Sequence, residues 1–388
     1  MIWFYARIIV TLPPEMAGLY IHIPFCKSRC IYCGFYSTTM LELRQRYVDA
    51  VVREMKTRCS KGDTISTIYM GGGTPSQLTP AQLKQLLDAA YIYNKVEEDA
   101  EITLEVNPDD VTASFAQAVS DLPINRISMG VQTFDDQRLQ FLHRRHSAQQ
   151  VSEAIDRLRL AGCENISIDL MYGFPQETLS DWEQDIERAL SLQVEHLSAY
   201  CLMIEEGTPL YQLSMKSEAF RDTFADEELE RQMYETLIDQ LTAAGYEHYE
   251  ISNFAKPGFR SRHNSSYWDG TPYIGLGASA HSYDIRHRSW NIDNIQRYVE
   301  GIEQGHPLFE AETIDKDTRY NDTVTVALRT KEGICLDQLS EPYRSYCLQN
   351  AQRFIKDELM ATDRDHLKLT RKGLFVSDMI MSELIWAD

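Results

Sequence analysis

The sequence predicts an α/β protein organised around a partial barrel of six βα units, with a smaller α+β region after it. Two observations carry this. From residue 19 to about residue 204, short β-rich apolar runs alternate six times with amphipathic helical stretches, the pattern of parallel strands joined by crossover helices. Within those runs one face is apolar and the other polar, whereas a barrel with a packed lumen would turn branched apolar residues inward. Six units leave such a barrel open on one side.

The strand candidates are residues 19–24, 67–70, 101–106, 126–132, 165–171 and 196–203; the helical stretches between them include 41–58, 80–93, 151–161 and 179–192. In the third strand Ile102, Leu104 and Val106 oppose Thr103, Glu105 and Asn107. The fourth sets Ile127, Met129 and Val131 against Ser128, Gly130 and Gln132, and the fifth sets Ile166, Ile168 and Leu170 against Ser167, Asp169 and Met171. A solvent-facing sheet would alternate in the same way. In a βα protein, however, the helices cover the apolar face, so the polar face is expected to line a binding lumen.

After about residue 205 the pattern changes. Residues 227–244 form a helix closed by Gly245, a usual helix stop. Residues 246–254 read as a strand of mixed polarity, followed by a loop carrying Arg260, Arg262, His263, Asn264, Tyr267 and Trp268. Cations beside aromatic rings suit a flat anionic ligand, and a histidine among them could ligate haem iron. The competing reading is a polar loop whose aromatics close the open barrel edge. Beyond residue 300 the chain becomes a small charged tail, helical at 323–328, 336–339 and 347–359, then strand, turn and helix over 367–384.

Length and charge bound the function. A chain of 388 residues holds two or more domains and an ample core. With 38 Lys plus Arg against 58 Asp plus Glu, its net charge of −20 argues against non-specific nucleic-acid binding. No apolar run is long enough to span a bilayer. Eight cysteines in so long a chain do not resemble a secreted disulfide framework, and a reducing cytoplasm is expected. Residues 1–15 make a poor signal peptide; Met16 is the expected start, with the preceding stretch an extension or a loosely held strand, and a weak membrane-surface anchor is the alternative.

The chemistry concentrates in residues 18–35, GLYIHIPFCKSRCIYCGF. Cys26, Cys30 and Cys33 stand at C-x3-C-x2-C spacing directly after the first strand. Thiolates are the natural ligands of iron–sulfur clusters. Three on one loop can hold three corners of a cubane, which leaves its fourth iron open to a small molecule. A structural zinc site is the competing reading, but it wants four ligands and no fourth Cys or His lies at finger spacing. Cys59, Cys163, Cys201, Cys335 and Cys347 have no paired spacing and read as ordinary thiols. In TIYMGGGTP, residues 67–75, three glycines let a backbone approach a ligand closely, although a tight turn would use them too; the phosphate-loop pattern is absent.

The cysteine spacing and its flanks resemble the radical S-adenosylmethionine (SAM) superfamily, and YIHIPFCKSRCIYC is similar to the family that contains the oxygen-independent coproporphyrinogen III oxidases and the HemW-type haem chaperones. The resemblance implies a 4Fe–4S cluster on Cys26, Cys30 and Cys33, and SAM on its open iron, cleaved there to a deoxyadenosyl radical or a related product. It places Tyr20 near the sulfonium and Tyr32 at the adenine. Gly72, Gly73 and Thr74 match an element whose backbone receives the SAM amino group. Glu105, Gln132, Arg144 and Asp169 match ribose, carboxylate or methionyl contacts, with Arg144 suited to pairing with a carboxylate. His263, Asn264, Tyr267 and Trp268 match an H-N-x-x-Y-W element associated with haem binding. Residues 273–283 resemble a segment closing over the SAM site, which makes His281 a secondary candidate, and the tail resembles a winged-helix-like cap.

The resemblance divides between two functions. The oxidases carry a further cysteine two positions after the third; here that residue is Phe35. The short stretch before the first strand is also expected to leave no room for the oxidases' N-terminal lid. With HNSSYW present, the expectation is a haem chaperone delivering haem to acceptor haemoproteins. The oxidase is the first alternative, and a zinc-stabilised binding module without redox chemistry the second. The organisation expected is an extension over 1–15, the cluster-bearing barrel over 16–215, a barrel-closing segment over 216–300 and the C-terminal domain over 301–388.

Overall fold

A computed structural model describes residues 17–62 and 64–387. The expected extension over residues 1–15 lies outside them. Six parallel strands form the frame: β1 (Ala17–Ile23), β2 (Thr64–Gly72), β3 (Lys95–Val106), β4 (Arg126–Gln132), β5 (Ile166–Tyr172) and β6 (His196–Cys201). They pair in chain order, each parallel to the next. All six expected strands are present, and each is joined to the next by helical structure, the crossover that parallel pairing requires.

The helices start where local chemistry says they should. Thr79 accepts from the Gln82 N–H while Gln82 reaches back to the Thr79 N–H, and Pro80 occupies the first turn, so Pro80–Tyr93 begins on a capping box. Thr178 and Asp181 repeat the arrangement at Leu179–Ser191. These helices, with Arg44–Arg58 and Ala148–Leu160, cover the outward residues of the strands, so that Leu104, Ile127, Met129 and Ile168 are fully buried.

The sheet does not close on itself. Beyond β6 it continues into Asn253–Ala255 and Glu247–Glu250, and beyond β1 into Tyr273–Leu276, His281–Tyr283, His287–Asn291 and Phe309–Thr313, twelve strands in all. The single strand expected over 246–254 is thus a hairpin, because the chain reverses at Ile251 and Ser252. The loop expected to carry HNSSYW is a helix, Arg262–Trp268, started by Ser261, whose hydroxyl accepts from the Asn264 N–H.

This short helix lies under the amino end of the barrel. The N–H groups of Arg262 and His263 donate to the two oxygens of Glu101 at 2.9 and 3.0 Å. The imidazole packs against Gly18, where a Cβ would stand 3.3 Å from it.

A second hydrophobic core gathers Tyr320, Val324, Leu328, Phe354, Leu367 and Ile380. The helices Lys316–Ala327, Tyr343–Lys356 and Ser377–Leu384 build it with a three-stranded sheet of Ile334–Cys335, His366–Leu369 and Met360–Asp363. The expected strand, turn and helix over 367–384 are there. No helix among the described residues is long and apolar enough to cross a membrane.

Candidate functional site

The cysteine loop leaves the carboxyl end of β1, where a parallel barrel presents its functional loops. Cys26 N–H donates to Thr38 O at 2.9 Å and Thr38 N–H returns to Pro24 O at 2.7 Å, closing the base of the loop. Ile31 anchors its tip: its N–H reaches Leu142 O, its carbonyl accepts from Leu210, and its side chain is buried with Leu142, Phe174 and Leu210. All three thiols are half-buried. Cys26 Sγ is 3.5 Å from Thr74 Oγ1, and Arg144 Nη1 donates to Cys30 Sγ at 3.7 Å. Burial pushes the Cys33 thiol up to about 11, with Cys30 and Cys26 raising it further, and burial also raises Cys26. Three soft donors close enough to perturb one another fit an iron–sulfur cluster, whose binding would displace their protons.

The glycine triplet faces this loop. At Gly72 (φ +113°) a Cβ would lie 2.4 Å from the His22 ring, and at Gly73 one would lie 2.8 Å from the Pro24 carbonyl carbon. The Gly72 N–H donates to Glu105 Oε2 at 3.0 Å and the Gly73 N–H to Ile23 O at 2.9 Å. Packing against the end of β1 therefore explains the bare Cα atoms. With both N–H groups taken, an ammonium group meeting this backbone would have to be received by carbonyl oxygens.

Behind the thiols, β3, β4 and β5 supply the polar face. Burial pushes Glu105 up to about 7, against the hydrogen bonds from the Tyr69 hydroxyl (2.7 Å) and Gly72. Burial likewise pushes Asp169 up to about 6, opposed by Ser198, Arg126 and Arg144. Arg144 Nη2 is held by Asn107 Oδ1 at 2.8 Å and Gly130 O at 2.5 Å, which aims the guanidinium across the rim. Gln132 is buried at the end of β4 with φ +73°. The ring of Tyr32, packed against the Ile31 cluster, has its hydroxyl raised by burial in the field of Arg144, Cys30, Cys33 and Asp169. Tyr20 lies deeper, its hydroxyl 3.0 Å from His22 Nδ1 and its ring stacked 6.1 Å from Tyr69. His281 is exposed beside Trp290, at the edge of this group.

The four residues expected to meet haem are elsewhere, under the opposite end of the barrel. His263 is 1 % exposed; its Nδ1 engages Thr67 Oγ1 at 2.8 Å and its Nε2 the Tyr267 hydroxyl at 2.9 Å. Burial holds its pKa down to about 3. Tyr267 stands edge-on to Tyr273 at 4.7 Å, and Asn264 is half-buried in the same helix. Trp268 lies beneath Arg329 with its indole N–H buried and unpartnered. Arg260 is bound to Glu247 and Glu332, and Arg262 to the Asp99 carbonyl. Sequence pattern showed cations and rings side by side but not the carboxylates that engage the cations.

Two lumen residues were missed. Arg126 is 1 % exposed, with Nε and Nη1 unpartnered, and shares its face with Ser128. His22 is buried, its Nε2 3.0 Å from Tyr36 O and its pKa held to about 4 by burial. Strand alternation already put both on the polar face.

Comparison with known proteins agrees with this layout. The profile of the radical SAM superfamily matches residues 20–189 and that of the HemN C-terminal domain residues 314–376. The heme chaperone HemW of Bacillus subtilis is 37% identical, with 84% of this chain and 87% of the relative covered. HemW of Lactococcus lactis is 32% identical, over 95% of this chain and 97% of the relative. The solved coproporphyrinogen III oxidase HemN of Escherichia coli superposes with a TM-score of 0.82 over 97% of this chain and 92% of its own; at 23% identity it shows a shared fold. Identity at the level of the two chaperones, spread over nearly the whole of each chain, carries membership: the chain belongs to the HemW family of radical SAM proteins.

Proposed function

We propose that this chain holds a 4Fe–4S cluster and SAM at the carboxyl end of its barrel and carries haem to acceptor haemoproteins in the cytoplasm. The observation behind the first part is that the thiols meet both neighbouring elements on one rim: Cys26 Sγ stands 3.5 Å from Thr74 Oγ1, directly after the glycine triplet, and the Arg144 guanidinium donates to Cys30 Sγ. Cys26, Cys30 and Cys33 would hold the cluster, which when bound supplies an electron to SAM. Gly72, Gly73 and Thr74 would receive the SAM ammonium and Arg144 its carboxylate. Glu105, Gln132 and Asp169 line the space for ribose and methionyl groups, with Tyr20 and Tyr32 as walls and His281 at the margin. Haem as cargo follows from the chaperone relatives.

The oxidase reading has less behind it. Its support is a common fold, and Phe35, where the oxidases carry a further cysteine, is 71% exposed.

Anaerobic reconstitution with iron and sulfide is the test. The wild type should turn brown and bind SAM, and Cys30→Ala should stay nearly colourless. Added hemin should develop a Soret band, and coproporphyrinogen should not be consumed. A colourless wild type would sink the cluster assignment; steady anaerobic decarboxylation would transfer the chain to the oxidases.

A further inference from the structure

The small C-terminal sheet gathers three metal-ligating side chains far along the chain from the cysteine loop. Across the antiparallel pair of Ile334–Cys335 with His366–Leu369, Ile334 faces Leu367 and Cys335 faces His366. Successive residues of a strand point to opposite faces. Ile334 and Leu367 are fully buried in the second core, so Cys335 and His366 share the other face, where both are half-buried. Asp365 joins them from the turn between Met360–Asp363 and His366–Leu369, where its carbonyl accepts from the Leu336 N–H at 2.8 Å.

Their donor atoms converge. The thiol sulfur, a carboxylate oxygen and an imidazole nitrogen all lie within 4.8 Å of one another. Cys335 Sγ donates to Asp365 Oδ2 at 3.8 Å, and His366 Nδ1 stands 2.9 Å from Asp365 Oδ1. Tetrahedral zinc, with bonds of about 2.3 Å to sulfur and about 2.0 Å to nitrogen and oxygen, sets its ligands roughly 3.3–3.6 Å apart. The two spacings bracket that edge. Nearby carboxylates are taken by cations: Asp363 by Lys368, Asp337 by Arg344 and Glu358 by Lys372. Among the described residues, Asp365 pairs with no Lys or Arg, only with His366. The carboxylate rather than the imidazole takes the thiol's hydrogen bond, so this is not a nucleophile beside its base.

We propose that Cys335, Asp365 and His366 form a zinc site, with water as the fourth ligand. One thiolate, one imidazole and one carboxylate suit a borderline-soft divalent ion, whereas magnesium and calcium take oxygen donors. Binding displaces the thiol proton. The ion ties the hairpin turn to Ile334–Cys335, a strand joined to its neighbour through only two residue pairs. Cys335 has no partner by spacing because Asp365 lies 30 positions on and is brought to it by the fold. The site stands apart from the cluster loop and does not depend on the haem reading.

Equilibrium dialysis of the full, cluster-loaded chain against micromolar zinc tests the site, with absorption spectroscopy at the zinc edge reading the ligands. Wild type should hold one zinc with a single sulfur at about 2.3 Å and lighter atoms at about 2.0 Å. Cys335→Ala and His366→Gln change half-buried side chains on the face away from the core, so both should fold and keep the cluster absorbance. Each should weaken zinc binding by more than the roughly tenfold that an outer-shell change costs, and Cys335→Ala should lose the sulfur signal. Wild type that holds no zinc, zinc without a sulfur neighbour, or equal binding by wild type and both variants overturns the assignment.

Discussion

The two ends of the barrel are built on opposite terms. At the carboxyl end, half-buried thiols, a half-buried arginine aimed across the rim and carboxyls raised by burial face one another around the cysteine loop. At the amino end, Arg262–Trp268 is sealed by Glu101, Thr67 and Gly18, and its imidazole makes every hydrogen bond it can. Parallel strands send all their outgoing loops to one end, so that end can afford under-used polar groups while the other closes the core. A histidine in a motif associated with ligand binding is, in this arrangement, part of the seal.

The largest test of that contrast is His263→Ala. Removing a fully buried ring and leaving Thr67 and Tyr267 unpartnered should cost about 3 kcal/mol or more of unfolding free energy. Cys33→Ala, at a half-buried loop position, should cost the apoprotein no more than about 1 kcal/mol while abolishing the cluster. Urea denaturation of the two apoproteins compares them, and equal losses would break the distinction.

A smaller effect tests the glycine triplet. Gly72→Ala must fit a Cβ 2.4 Å from His22 at φ +113°, and about 2 kcal/mol of destabilisation is expected. Gly62→Ala, whose Cβ would be 3.6 Å from Ser60, should stay within about 0.5 kcal/mol. Were the two equally mild, close packing would not be why residue 72 lacks a side chain.

The subtlest test is pH. Glu105 keeps its proton up to about 7 in the folded chain, against 4.5 for a free carboxyl. Its contribution is therefore present below 4.5 and is lost as pH rises through 7. His263 has the opposite sign: with a folded pKa near 3 against 6.5 unfolded, its contribution is present above 6.5 and is lost as pH falls towards 3. Glu105→Gln removes the first dependence, so relative to wild type it should gain stability at about pH 8 and lose it at about pH 5. A difference in melting temperature that stays flat across that range would show that burial is not acting on Glu105 as described.

Much of the carboxyl end was legible. The alternation of Thr103 with Leu104 and Glu105 with Val106 marked a polar lumen, and it would have marked Arg126 and His22 had the same rule been carried to the first residue of β4 and the last residue but one of β1. The left-handed backbone of His143 was illegible for a different reason: it stops the short helix Asp136–Phe141, with the His143 and Arg144 N–H groups returning to Gln140 O and Leu139 O at 3.0 and 2.9 Å, at a residue that is not the glycine such a stop usually shows.

What the sequence determined by itself was whatever is encoded over a few residues: six strands by their period, Pro80–Tyr93 by its capping box, and three thiols on one loop by their spacing. Only tertiary structure decided which end of the barrel HNSSYW would occupy and whether its polar groups would be free. The partners that answer this, Thr67 and Glu101, lie 196 and 162 positions from His263. A seven-residue helix started by one serine has the same local pattern whether its imidazole meets water, a ligand or the inner face of a strand, and the strands that close over it are assembled only when the sheet forms.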